Sequence, residues 1–344
     1  MMVIRHAEVA QVLSGHHARI GAIVRQAYQT HDEGRTALPH SVFLRFPGGS
    51  ADRIIALPAF LADEPPVAGV KWISSFPANI GGGLPRASGV IVLNDASNGR
   101  AEALVETSLI SAMRTAAGVA LIAEMLCDTP PARLAFIGCG VINREVLGFL
   151  AGDPDAAHGF TRVTVFDTDP ARAAGFGEAC RAAMPRAEIR TAADAGEALA
   201  DQDLVSIATT ATVPHLDLDA CAPGTTVAHL SLRDIRTESI LRAQNVVDDP
   251  DHVCREGTSL HLAEQKTGGR GFIDATIGAI ARGAANFRRD PQRVLVFSPF
   301  GLGVLDLALA RHVLAETKRL GLGVPIEGFH PAPPPGPQRE GVRP

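Results

Sequence analysis

The sequence predicts an α/β fold: a doubly wound parallel sheet through the middle of the chain, with an α+β unit before it. Three observations carry this. Between residues 134 and 247 short apolar runs alternate with helical stretches, as in strands joined by crossover helices. Between residues 41 and 93 the apolar runs are separated by Gly, Pro and Asn instead, as in antiparallel strands. The length, 344 residues, suits two domains of ordinary size.

Residues 9–28 read as a helix, with Val12, Ile20, Ile23 and Val24 at helical spacing. Residues 42–44, 54–57, 67–70 and 90–93 read as strands, and 106–126 as a long helix. Residues 134–137 form a buried strand that enters Gly138-Cys139-Gly140, and 141–150 form the helix that leaves it. The strand at 163–166 ends at Asp167, and Pro170 opens the next helix, where its missing N–H costs nothing. Residues 188–190, 204–207, 227–230 and 245–247 supply further strands. A last strand at 294–297 precedes a last helix at 303–320, stopped by the glycines of 321–323. From His330 the tail is rich in proline and expected to be disordered.

Composition narrows the function. Hydrophobic residues make up 46% and charged residues 20%, enough to bury a core. A net charge of -5 leaves no basic footprint for nucleic acid. Residues 1–13 carry His6 and Glu8 among their apolar positions and lack a secretory core. The most apolar stretch, 116–126, holds Glu124 and is short for a bilayer span. A cytoplasmic protein with no membrane partner is expected. The five cysteines are odd in number, scattered and without CxxC, so they read as small buried hydrophobes. No histidine pair has ligand spacing, and no metal is expected.

The strand, glycine turn and helix at 134–150 point to a dinucleotide. Gly138 permits the tight turn, and Gly140 lets backbone N–H groups approach a pyrophosphate at the helix N-terminus. Val141 and Ile142 open that helix. Asp167, at the end of the next strand, is placed to bond a ribose diol and to repel a 2′-phosphate, which favours NAD over NADP. The third glycine position holds Asn143, a departure from the usual motif. Thr209 and Thr210 follow the strand at 204–207, and Ser298 follows the last strand. All three are assigned to the carboxyl edge of a Rossmann-type sheet, where ligands bind. For the threonines, a polar loop start remains an equal alternative.

Arg45, Arg53, Lys71, Arg86 and Arg114 are cations in otherwise apolar surroundings. Charges there are costly unless paired, and a substrate carboxylate would pair them through twin hydrogen bonds.

Lys71-Trp72-Ile73-Ser74-Ser75-Phe76-Pro77-Ala78-Asn79, Leu84-Pro85-Arg86-Ala87-Ser88-Gly89, Leu93-Asn94-Asp95 and Arg114-Thr115-Ala116-Ala117 resemble the ornithine cyclodeaminase/mu-crystallin family. The resemblance continues through Ile137-Gly138-Cys139-Gly140 and Phe166-Asp167-Thr168-Asp169-Pro170 and covers nearly all of the chain before the tail. Residues 38–47, Arg53-Ile54-Ile55-Ala56-Leu57-Pro58 and His229-Leu230-Ser231-Leu232-Arg233-Asp234 are most similar to its 2,3-diaminopropionate-forming dehydrogenases. These oxidise N-(2-amino-2-carboxyethyl)-L-glutamate with NAD, release 2,3-diaminopropionate and 2-oxoglutarate, and serve siderophore and peptide-antibiotic pathways.

The resemblance implies that Arg45 and Arg114 hold a substrate carboxylate, that Lys71 faces the reacting carbon and nitrogen, that Asp234 is the acid/base group and that Asp167 holds the adenosine ribose. Arg86, with Ser88 beside it and Arg233 as a further candidate, is expected to serve additional substrate carboxylates. It also implies a homodimer built through residues 1–116, a substrate domain completed by 303–330. Residues 117–302 are then the NAD-binding domain and 331–344 the tail. Ornithine cyclodeaminase, alanine dehydrogenase and ketimine reductase activity remain alternatives within the family. A non-catalytic binder of nicotinamide and small ligands is the alternative outside enzymology.

Overall fold

The structure, a computed structural model, describes residues 1–48, 51–152 and 159–331. Most of the expected disordered tail therefore lies outside the described residues. Its first part is engaged: His330 Nε2 lies 2.7 Å from the Ala101 carbonyl, and Arg100 donates to the Pro331 carbonyl.

The chain opens with β1 (Met2–Ile4), α1 (His6–Leu13) and α2 (His17–Asp32). The single helix expected over 9–28 is two, because Ser14 turns extended and Gly15 takes a φ of 75°. β2 (Thr36–Ala37), β3 (Val42–Arg45), β4 (Arg53–Leu61), β5 (Val67–Ser75), β6 (Ala87–Asn94) and β7 (Ala101–Glu106) follow, then α3 (Ser108–Met125). β3 to β7 pair antiparallel in sequence order, and β1 adds on in parallel to β7. β7 has no strand-like composition. It alternates buried Ala103 and Val105 with half-buried Glu102, Leu104 and Glu106, and pairing on both sides overrides its weak propensity.

Alternation divides this first sheet into two faces. Leu57, Lys71 and Ile91 share one register level on the inner face, and Ala56, Trp72 and Val90 share the next on the outer face. α2, α3 and the last helix cover the inner face. α3 begins at Ser108, so the apolar stretch is longer than 116–126. By length and composition it could cross a membrane, yet it is a core helix, with Ile110, Ala116, Val119 and Ile122 sealed from solvent.

The second sheet is built from β8 (Arg133–Ile137), β9 (Arg162–Phe166), β10 (Glu188–Thr191), β11 (Leu204–Ile207), β12 (Thr226–His229), β13 (Gln244–Val247), β14 (Ile273–Thr276) and β15 (Leu295–Ser298). Every strand pair in it is parallel, in the order β10-β9-β8-β11-β12-β15-β13-β14. Its helices are α4 (Val141–Ala151), α5 (Pro170–Ala183), α6 (Ala195–Leu199), α7 (Thr237–Arg242), α8 (Pro250–Val253), α9 (Ser259–Thr267) and α10 (Ile277–Ala281). Such strands are covered on both faces, and all four residues of β11, β12, β13 and β15 are buried.

The chain then returns to the first sheet. α11 (Gly303–Leu320) packs on β4, β5 and α2, and β16 (Val324–Pro325) pairs with β1. Gly321 ends α11 in the left-handed conformation. All five cysteines are free; Cys139, Cys180 and Cys254 are buried, and Cys127 and Cys221 are half-buried.

Candidate active site

Strand order reverses between β8 and β11, which opens a crevice at their carboxyl ends. Gly138 turns there with a φ of 87°, and a Cβ on it would meet the Ala208 carbonyl oxygen at 2.4 Å. Gly140 caps α4 without a side-chain bond, and nothing stands within 4 Å of where its Cβ would be. The helix end is therefore open to an anion. Exposed Val141 and half-buried Ile142 begin the helix. The Asp167 carboxylate accepts the Cys139 and Asp169 backbone N–H groups at 2.8 and 2.9 Å. This fixes it at the lip of the turn with acceptor capacity left for a diol.

Asn143 explains the departure from the glycine motif. Its buried amide donates to the Gly138 carbonyl at 2.6 Å and to the Ile137 carbonyl at 3.2 Å, and accepts the Ser206 hydroxyl at 2.7 Å. Where a glycine lets helix and strand close up, this side chain ties them together. The turn, the open helix end and the carboxylate all fit a dinucleotide.

At the carboxyl ends of β11 and β12, Thr209 and Ser231 both donate their hydroxyls to Asp234. The Thr209 N–H donates to Ser231 at 3.1 Å. Thr210 beside them is exposed. Buried His229 lies between Ser298 and Asp234, 3.3 Å from each. Burial pushes the Asp234 carboxyl up, but His229, Ser231 and Thr209 more than offset this and hold it below the usual carboxylate range. Both oxygens of this fully buried carboxylate accept hydroxyls, one from Thr209 and one from Ser231. The helix that follows, α7, is capped by Arg236 rather than by this carboxylate.

A second cluster lies on the inner face of the first sheet. Lys71 from β5, Ser111 and Arg114 from α3, and Asp306 from the first turn of α11 meet there. Lys71 Nζ donates to Asp306 Oδ2 at 2.7 Å, and Arg114 Nε to Oδ1 at 3.3 Å. Ser111 Oγ lies 3.4 Å from the ammonium. Lys71 is 2% exposed and Asp306 fully buried. Burial, with help from Arg114 and against Asp306, pushes the Lys71 ammonium down to about 8. A lysine tuned this way can hold or release a proton near neutral pH. The Arg114 guanidinium lies against Gly301, where a Cβ would meet its nitrogens at 2.7 and 2.8 Å.

Arg45 is exposed and pairs with Glu256 from the second sheet's side at 2.6 Å. Arg86 donates to Ser75 at 2.8 Å. The structure does not bring Ser88 to this cleft. Its hydroxyl lies on the outer face, 2.9 Å from Ser74, while Lys71 and Ser75 point inward. Arg86 lies in the bend before β6 and turns to Ser75, whereas Ser88 lies within the strand on the face opposite Lys71.

Asp306, Ser111, Glu256 and Asn143's bonding escape a reading by motif. Asp306 carries a usable signal: a carboxylate flanked by Val304, Leu305, Leu307 and Ala308, all buried. Among the described residues no group of three or more His, Cys, Asp and Glu could hold a metal.

Fold and cleft together define a two-sheet α/β protein with a Rossmann-type half and a dinucleotide turn. The chain belongs to the ornithine cyclodeaminase/mu-crystallin family, whose sequence profile matches residues 1–319. It is 27% identical over 333 residues to an N-((2S)-2-amino-2-carboxyethyl)-L-glutamate dehydrogenase of Staphylococcus aureus, covering 95% of this chain and 98% of that one. An alanine dehydrogenase of Archaeoglobus fulgidus is 25% identical over 312 residues, covering 89% and 92%. In fold it is similar to the Thermococcus litoralis Delta(1)-pyrroline-2-carboxylate reductase solved with NADH and L-proline, at a TM-score of 0.86 and 23% identity over 95% of this chain and 100% of that one. An archaeal alanine dehydrogenase dimer with bound NAD gives 0.85 and 24% over 96% and 99%.

Proposed function

We propose that this chain is an NAD-dependent dehydrogenase of a CH–NH bond, and that its substrate is N-(2-amino-2-carboxyethyl)-L-glutamate. The products are then 2,3-diaminopropionate, a building block for siderophores or peptide antibiotics, and 2-oxoglutarate. One observation carries the reading: a buried lysine tuned to about 8 shares a carboxylate with Arg114, in a cleft whose further arginines suit a substrate rich in carboxylates. The likeness to the Staphylococcus aureus dehydrogenase over nearly all of both chains supports it.

The backbone of Gly138, Gly140, Val141 and Ile142 would hold the pyrophosphate, Asp167 the adenosine ribose, and Thr209, Thr210 and Ser298 the nicotinamide half. Bound there, NAD supplies the acceptor for the hydride that leaves the glutamate α-carbon. The protein's own work is proton handling and orientation. Neutral Lys71 accepts the proton of the substrate's secondary ammonium, which frees the nitrogen lone pair for oxidation. Arg114 holds the α-carboxylate with the nitrogens that Asp306 leaves free. Water adds to the resulting protonated carbon–nitrogen double bond and loses one proton to solvent; the carbinolamine then collapses, its carbon–nitrogen bond breaking as the hydroxyl proton also leaves to solvent. Lys71, protonated in the first step, returns a proton to the departing nitrogen. Asp234 holds Thr209 and Ser231 in place. Arg45 and Arg86 pair with further carboxylates.

The test is absorbance of NADH from purified protein, NAD and the glutamate conjugate, with alanine and ornithine in parallel. NADH equimolar with 2-oxoglutarate is expected. Proline from ornithine without net NADH, or NADH from alanine alone, would replace the proposed substrate.

A further inference from the structure

Four guanidinium groups from both sides of the cleft meet beyond Lys71. Arg45 and Arg53 are cross-strand partners, and Arg53 is in turn the partner of Ser75, which receives Arg86. From the second sheet's side, Arg233 donates to the Glu256 carbonyl at 2.8 Å, and the Glu256 carboxylate accepts Arg45. The Glu256 carboxylate pairs with Arg45 and attracts Arg53 and Arg233 as well. The Arg53 Nε is fully buried and has no hydrogen-bond partner, an expensive state for a charged group. Burial and then the repulsion of Arg233, Arg86 and Arg45 depress the Arg53 guanidinium.

The backbone around this cluster is strained. Leu232 and Glu256 have φ values of 67° and 56°, in the left-handed region that residues with a Cβ avoid. One strained turn aims Arg233 and the other aims Glu256. Such strain persists where the surrounding structure enforces it, and it gathers at ligand sites.

We propose that Arg45, Arg53, Arg86 and Arg233 form a second anion subsite, for a carboxylate distal to the reacting carbon, and that the Glu256 carboxylate is its resident competitor. The subsite deepens the substrate reading above and rests on it. Ser75 lies four residues from Lys71 on the same face of β5, about 13 Å along the strand. The substrate class is an amino acid with a further carboxylate several bonds from its α-carbon. A cationic side chain is repelled, and a methyl group leaves the cluster unanswered. An incoming carboxylate displaces Glu256 from Arg45 and offers the Arg53 guanidinium, whose Nε has no partner, a further acceptor.

Calorimetry on the NAD-saturated protein tests this without turnover, using glutarate and valerate, which have equal chain lengths and two and one carboxylates. Glutarate is expected to bind about tenfold tighter or more, the worth of one charge-assisted pair. Arg53→Met and Arg233→Met, on different elements, should each remove most of that preference. Glu256→Gln should tighten glutarate several-fold and leave valerate unchanged. Equal binding of the two acids, or a preference intact in both arginine variants, overturns the subsite. Unchanged glutarate affinity in Glu256→Gln overturns the competitor role. A clear preference in a protein that makes no NADH from the conjugate upholds the subsite and removes only the substrate named above.

Discussion

Lys71 is where the chemistry is most exposed to test. Its ammonium is pushed down to about 8 by burial and Arg114, and the proposed role needs it neutral. The oxidative kcat/KM should therefore fall about tenfold per pH unit below 8 and level off above it. Lys71→Arg cannot deprotonate and should lose both this limb and about a hundredfold or more of kcat; a limb near 8 that survives in the variant assigns it to another group. Asp306 opposes the depression, so Asp306→Asn should move the limb to lower pH. It also strands two buried cations, and chemical unfolding should show a loss of about 3–5 kcal/mol. Lys71 and Arg114 were legible in the sequence because a cation in an apolar strand or helix must have a partner. Asp306 obeys the same logic but has an ordinary alternative, since an acid in a helix's first turn is favoured by the dipole alone. The burial of Asp234 was not legible. Its hydroxyl partners, Thr209 and Ser231, follow two different strands, and only the assembled sheet edge brings them together.

Elements of the second sheet were the most legible, because a strand buried on both faces is a run of Val, Ile and Leu with a helix after it. β1, β7, β14 and β16 were not. They are short or mix Ala and Glu with apolar residues, and their pairing partners decide them. The link from β15 to α11 escaped for a similar reason. Asp248 accepts the backbone N–H groups of Phe300 and Gly301 at 2.9 and 2.8 Å, and this holds Gly301 at a φ of 92° against the Arg114 guanidinium. Gly301→Ala should cost about 1–3 kcal/mol from the backbone alone. The new Cβ also displaces Arg114, so KM should rise by more than the fall in stability explains. A KM unchanged in a folded variant would separate Arg114 from the substrate. Gly138→Ala is a different case. Its Cβ meets a backbone carbonyl rather than a mobile side-chain end, so NAD binding, read by calorimetry, should be lost outright while the first sheet stays intact.

For the whole molecule, the two faces of the first sheet are unequal in what covers them. Helices bury the inner face. The outer face carries Val42 and Trp72 at one register level, with Ala56 and Val90 between and beside them, and Leu44 and Ile54 at the next. Val42, Leu44 and Trp72 are 65%, 46% and 41% exposed, a contiguous apolar patch of the kind that marks an interface. The patch predicts a two-fold dimer in which each patch meets its own image. Trp72 is the chain's single tryptophan, so its fluorescence reads this face directly. Light scattering should give twice the 36.0 kDa chain mass, and dilution to dissociation should red-shift the emission as the indole enters water. Trp72→Glu buries a charge against its own copy in the dimer and should give a folded monomer. A wild-type monomer at micromolar concentration, or a Trp72→Glu variant that stays dimeric, would move the contact to another surface. Because Lys71 and Trp72 are adjacent residues on opposite faces of β5, loss of the dimer should also loosen the strand that carries the lysine, lowering kcat while the pH limb stays near 8.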